Sequence, residues 1–201
     1  MRPHYFLDPL PQSIHANGQD IRINSDFRAV LCFYRLTGED PEEHLIEALT
    51  ALFDDDIPEI TEELTEALEV FVNGGAAEKK KGLAKSLLGL NNNKPFDFMA
   101  DDRLIWSAFF YAYKINLRSI PYLHWWDFLQ LMEELPDSVR LEKVIHYRTI
   151  DTNGPGVGKE QKKVYDALQR HYKLTEQKKS PEDELIAEAL RQGKDPAQFL
   201  K

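Results

Sequence analysis

Along most of the chain apolar residues return every three or four positions, the period of an α-helix with one buried face. The exception lies near the N-terminus, where Ile14, Ala16, Ile21 and Ile23 alternate with polar residues about Asn17-Gly18. Asn-Gly favours a two-residue type I′ turn, because both of its positions need positive φ. That turn sets Ile14 opposite Ile21 and brings Ala16 and Ile23 to the same side, so the hairpin offers one apolar face to helices. A first helix follows, capped by Asn24, Ser25 and Asp26, with Phe27, Leu31 and Tyr34 on its stripe and Gly38 at its end. Asp40-Pro41-Glu42-Glu43 has the form of a capping box with Pro at N1. It opens a second helix whose Leu45, Ile46, Leu49 and Leu52 share a side. Pro58 starts a third, striped by Ile60, Leu64, Ala67, Leu68 and Phe71 and ended by Asn73-Gly74-Gly75.

Residues 74–95 read as an internal linker, basic and rich in Gly and Asn, with a short helix at 83–88. The stretch 97–135 then holds all three tryptophans, Trp106, Trp125 and Trp126, among several Phe and Tyr. Aromatic side chains dominate the energetics of cores and interfaces, so this block is either the centre of the fold or a docking surface. Its pattern predicts helices at 101–113 and 121–135. In the first, Leu104, Ala108, Tyr111 and Ile115 form a stripe flanked by Ile105, Phe109 and Ala112. In the second, Trp125, Phe128, Leu129 and Met132 share a face. A helix at 138–149 carries Leu141, Val144, Ile145 and Arg148. The breaker at 151–156 separates it from a basic helix at 158–173 and a shorter one at 181–192. Their thin apolar stripes suit helices that complete their burial on a partner or within a homo-oligomer. The fold class is therefore mainly α with a small N-terminal β-hairpin: a helical domain at 1–152 and an extended, polar helical C-terminal arm at 153–201.

Charge narrows the functions. The net charge is −9, so a broad nucleic-acid surface is disfavoured by repulsion from phosphate. No Lys or Arg occurs between Leu36 and Ala77, where acids are dense. A solvated acidic face is the plainer account of this, and a surface for a basic partner is the other. The single cysteine, Cys32, lies in an apolar run and reads as a buried structural thiol; it excludes an intramolecular disulfide and a multi-cysteine zinc site. Neither a signal peptide nor a membrane-length apolar run is apparent, which points to a soluble, intracellular protein without membrane contact.

Candidate chemistry is sparse. Residues 153–160 imitate a phosphate-binding loop, but Asn153 stands at the first glycine and Glu160 at the Mg²⁺-binding hydroxyl. His124 and Asp127 are spaced to form an imidazole–carboxylate pair, yet no nucleophile accompanies them. Asp54-Asp55-Asp56 lacks the alternating ligands and Gly of a calcium loop. The remaining histidines, His4, His15, His44, His146 and His171, show no zinc spacing. Lys159, Lys162, Lys163, Arg170 and Lys173, with Tyr165 and Tyr172, make at most a weak nucleic-acid strip. The sequence thus points to no catalytic residue, no metal, no cofactor and no nucleic-acid partner. A non-enzymatic protein is the expectation.

Two blocks carry a resemblance. One runs from Pro11-Gln12-Ser13-Ile14 through Gly18 to Ile23-Asn24-Ser25-Asp26-Phe27-Arg28. The other runs from Phe96-Asp97-Phe98 through Tyr113-Lys114-Ile115-Asn116-Leu117 and Leu123-His124-Trp125-Trp126-Asp127-Phe128 to Tyr147-Arg148. Together they resemble the bacteriophage "gene product fifteen" family of tailed phages and prophages of Gram-positive hosts, over roughly residues 9–150. The residues after Thr152 fall outside the resemblance. Where the family pattern often has Tyr-Gly-Ile-Asp-Leu, this chain has Lys114 and Asn116. Family members are typically encoded between the major tail protein and the tape-measure protein. The resemblance therefore implies a tail assembly chaperone of the host cytoplasm, with those two proteins as partners. The alternative is a structural virion component, a tail or connector protein. On the chaperone reading, Trp106, Phe110, Trp125 and Trp126 are the candidate partner-binding residues.

Overall fold

A computed structural model describes residues 4–39, 41–53, 56–75, 89–154 and 156–174. The capping aspartate Asp40, Asp54 and Asp55, the helix expected at 83–88 and the one expected at 181–192 lie outside the described residues. Strands β1 (Ser13–Ala16) and β2 (Gln19–Arg22) are followed by seven helices among those residues. These are α1 (Phe27–Glu39), α2 (Pro41–Phe53), α3 (Glu62–Val72), α4 (Asp102–Tyr113), α5 (Trp125–Glu133), α6 (Arg140–Thr149) and α7 (Lys159–Tyr172).

The hairpin forms as its turn dictates. Asn17 and Gly18 take φ of 54° and 72°, and Ile14 pairs with Ile21 in the antiparallel register. Ile14, Ala16 and Ile23 are buried, and β1 lies against α3. The tip is tied to that helix: the Asn17 N–H donates to Glu63 Oε2 at 2.8 Å and its side-chain amide to the Glu59 carbonyl at 2.9 Å. Thr61 Oγ1 donates to Asn17 Oδ1 and accepts from the Leu64 N–H at 3.2 Å. Thr61, not Pro58, is thus the cap from which α3 starts.

Other boundaries shift for equally local reasons. Gly38 does not end α1; it sits inside the last turn, which runs on to Glu39. In α2 the buried side is Ala48, Leu49, Leu52 and Phe53, while Leu45 and Ile46 face outward, so the stripe is rotated from the expected one. Cys32 is half-buried on the flank of α1 rather than enclosed. In α4 the buried face is Ile105, Ala108 and Phe109, and Tyr111 stands outside, 62% exposed. The α5 helix begins at Trp125, not at Pro121, because 122–124 is drawn out to pair with the start of α1. There the Phe27 N–H donates to the Leu123 carbonyl at 3.0 Å and the Trp125 N–H to the Ser25 carbonyl at 2.8 Å. Asp26 caps α1 through Oδ1, accepting from the Arg28 N–H at 2.9 Å, and receives the Leu123 N–H on Oδ2 at 3.2 Å. The two sequence blocks that carry the family resemblance therefore meet as one clasp.

Behind the clasp lies an aromatic core. The Phe128 ring stacks on Phe27, Phe109 and Trp125 at centroid distances of 4.9, 5.1 and 5.5 Å. Phe98 closes it with its edge on Trp125 at 5.7 Å.

A buried ion pair locks the other end. Arg148 on α6 grips Asp101, the residue before α4, with Nη1–Oδ2 at 2.7 Å and Nη2–Oδ1 at 2.9 Å. The same guanidinium donates to the carbonyls of Pro95 at 3.1 Å and Tyr172 at 2.6 Å. Residues 89–93, expected as part of a linker, instead cap α6. The Asn91 side-chain amide donates to the carbonyls of Arg148 and Ile150 at 3.0 and 2.9 Å, and Asn93 donates to Arg148 at 2.9 Å. Such bonds meet the carbonyls that a helix end leaves unpaired. Helix α7 is held on α6 by the Arg148–Tyr172 bond, by the Gln169 amide on the Ile150 carbonyl at 2.7 Å and by stacking of Tyr172 on Tyr147.

Lys114 ends α4 with φ of 59°, the left-handed conformation for which glycine is the usual residue. The turn is kept despite the missing glycine, at a cost of about 1 kcal/mol for a side chain in that region. Lys114→Gly is therefore expected to raise stability by about 0.5–1 kcal/mol, or about 1–4 °C in a thermal melt. An unchanged or lower Tm would show that the contact of Lys114 with the Tyr111 ring, at 5.4 Å, offsets the backbone cost.

Candidate functional site

The four candidate aromatics separate into two places. Trp125 is fully buried and Trp126 is 6% exposed. Their indole N–H groups donate to the carbonyls of Val72 and Phe71 at 2.9 and 2.8 Å, so both serve to cap the C-terminal end of α3. Gly75, at φ of +80°, lets the chain pass over Trp126; a Cβ there would fall 2.6 Å from Cη2 of the indole. These two tryptophans hold the fold together and have almost no surface to offer a partner, which corrects their assignment as docking residues.

Trp106 and Phe110 lie elsewhere, on α4. A helix that buries positions 105, 108 and 109 turns 103, 107, 110, 111 and 114 outward and leaves 106 on the flank, where the Trp106 ring also packs against the core. Phe110 is 48% exposed and Trp106 half-buried, and their rings stack at 5.6 Å with planes 12° apart. The Trp106 indole N–H donates to Asn116 Oδ1 at 3.1 Å, and the Arg118 N–H reaches the same oxygen at 3.1 Å. The position where the family pattern has Asp thus still supplies an anchor for the indole. Tyr111 extends the ridge under the Lys114 ammonium. Tyr111, Lys114, Arg103 and Arg118 were missed as parts of this surface. The signal for Arg103, Tyr111 and Lys114 was present in the spacing of 103, 107, 111 and 114, opposite the apolar positions, whereas Arg118 lies beyond the helix and follows no such spacing.

The remaining candidates are not brought together. His124 Nε2 bonds the Pro11 carbonyl at 2.9 Å, and Nδ1 accepts from the Trp126 N–H at 3.0 Å. Both ring nitrogens are occupied by the backbone, while Asp127 accepts from the Tyr5 hydroxyl at 3.0 Å. His124 is the cap of α5. Lys162 Nζ of α7 donates to Asn153 Oδ1 in the loop before that helix. On α7 itself, Lys163 pairs with Glu160, and the Tyr165 and Tyr172 rings turn onto His146 and Tyr147 of α6. No group of three or more His, Cys, Asp or Glu side chains suited to a metal occurs among the described residues. Nor is any helix among them long and apolar enough to cross a membrane. A cleft of about 270 Å³ is lined by Tyr5, Asn73, Gly74, Trp126, Leu129, Gln130 and Glu133.

A family model described as Bacteriophage Gp15 protein matches residues 6–174 of the chain. The chain belongs to that family. The match runs beyond Thr152, where the resemblance in the sequence stops, and takes in α7. That extension follows the packing, since the Tyr172 carbonyl at the end of α7 receives the buried Arg148. No curated protein and no solved structure matches the chain.

Proposed function

We propose that this phage protein is a tail assembly chaperone that acts in the host cytoplasm and binds the tape-measure protein, the major tail protein or both. The observation that supports the reading most is the aromatic ridge on α4. An ordinary outward helix face is polar, but here Phe110 and Tyr111 are 48% and 62% exposed beside a stacked tryptophan. Trp, Tyr and Phe are the side chains that most often anchor protein interfaces. The Asn116 bond fixes the Trp106 indole in advance, so little side-chain freedom is lost on docking. An outward ridge of this kind suits an amphipathic helix laid along it. A tape measure is a long, largely helical chain that must stay soluble until tube subunits enclose it, and the net charge of −9 favours solubility of the complex.

Co-expression with the tape-measure protein of the same phage, followed by pull-down, tests the proposal. The unaltered chain is expected to recover the tape measure, and the Trp106→Ala/Phe110→Ala double variant to recover about tenfold less or lower still. Equal recovery by both sinks it. So does finding the chain in stoichiometric copies in purified particles, the outcome that favours a structural virion component.

A further inference from the structure

The ridge is bracketed by cations in a protein of net charge −9. Arg103 lies one turn before Trp106 on the outward face, and Lys114 one turn after Phe110. The Arg118 backbone N–H shares the Asn116 oxygen with the Trp106 indole, so the chain at this exposed arginine runs beside Trp106. The guanidinium groups of Arg103 and Arg118 have no acidic partner among the described residues, and Lys114 Nζ is engaged only by the carbonyl and ring of Tyr111. Asp102 precedes Arg103, and its Oδ1 accepts from the Arg103 backbone N–H at 2.6 Å.

We propose that the segment that seats on α4 is an amphipathic helix whose apolar stripe is flanked by Asp or Glu, held at its two ends by Arg103 and Lys114 and along one side by Arg118. The proposal rests on the docking function above and names the chemistry of the partner. Lys114 stands eleven positions after Arg103, about 16 Å along a helix axis at about 1.5 Å per residue, so the acids of the partner lie about three turns apart. The apolar ridge supplies the area. The cations supply register and partner choice, because a basic flank would meet like charge at both ends. A general attraction to acidic chains is excluded by the net charge of −9; the recognition is local to this face.

The full chain co-expressed with the tape-measure protein provides the test, with capture measured for three variants and the contacting segment located by cross-linking. Arg103→Glu/Arg118→Glu is expected to lower capture about tenfold, and Arg103→Lys/Arg118→Lys to stay within about twofold of the unaltered chain. Phe110→Ala is expected to lower capture as well, and the cross-linked segment to carry acidic flanks. If Phe110→Ala loses capture while the charge reversal keeps it, this proposal falls and the docking function stands. If neither variant loses capture, the docking function falls and the proposal with it. A cross-linked segment with neutral or basic flanks also overturns the proposal.

Discussion

Replacing Arg148 by Met is expected to lower the free energy of unfolding by about 3–5 kcal/mol, the range for breaking a buried ion pair from one side. The guanidinium is 6% exposed and the Asp101 side chain 4%, so water cannot take over the lost bonds. The change strands a carboxylate that still receives the Asp97 N–H at 3.0 Å, and it leaves the carbonyls of Pro95 and Tyr172 without their donor. Urea denaturation followed by circular dichroism gives the magnitude. Arg148→Lys should recover little, since an ammonium cannot span both carboxylate oxygens and two carbonyls as the planar guanidinium does. Arg148→Met/Asp101→Asn should recover part of the loss, because no unpaired charge is then buried. Exchange of the α7 amides should rise in the Met variant even below the unfolding transition, as α7 loses its bond to α6. A loss under about 1 kcal/mol would mean that the pair is not closed as described.

Much of the fold follows from local chemistry that the sequence displays. The Asn17-Gly18 turn requires two positive φ values, and that requirement alone fixes the hairpin register. The helical periods at α1, α4, α5, α6 and α7 place the helices within a few residues. Where the reading slipped, a distant partner had overridden a local preference. Pro121 resembles a helix start, but the backbone of 25–27 claims residues 123–125 first. Asn91, Asn92 and Asn93 resemble a linker, yet two of them cap a helix 55 or more positions away. Pro58 resembles an N1 residue, while the cap belongs to Thr61 because Asn17 of the hairpin tip is there to bond it.

The candidate site was half legible for the same reason. All four aromatics stand at plausible helix positions, and nothing near Trp125 or Trp126 says which way their indoles turn. Their N–H groups are satisfied by the end of α3, 53 and 55 positions earlier in the chain, a contact no local pattern encodes. Trp106 and Phe110 were separable in principle. The buried residues 105, 108 and 109 define one side of α4, and the ridge is what remains on the other.

That division leads to a sharp contrast between two phenylalanines on neighbouring helices. Phe128→Ala is expected to cost about 3–5 kcal/mol, because the ring is fully buried and its removal leaves a cavity among Phe27, Phe98, Phe109 and Trp125. Phe128→Leu, which keeps most of the volume, should cost about 1–2 kcal/mol, with the lost ring stacking as part of it. Phe110→Ala, at a ring already 48% exposed, should cost under about 1 kcal/mol. Chemical denaturation of the three variants, with near-ultraviolet circular dichroism to follow the packing around Trp125, orders them. Similar losses for Phe110 and Phe128 would place the α4 ridge inside a core and remove it as a docking surface. A small loss for Phe110→Ala has a second consequence: any fall in tape-measure capture by that variant then reports a lost contact, because the protein that fails to bind is still folded.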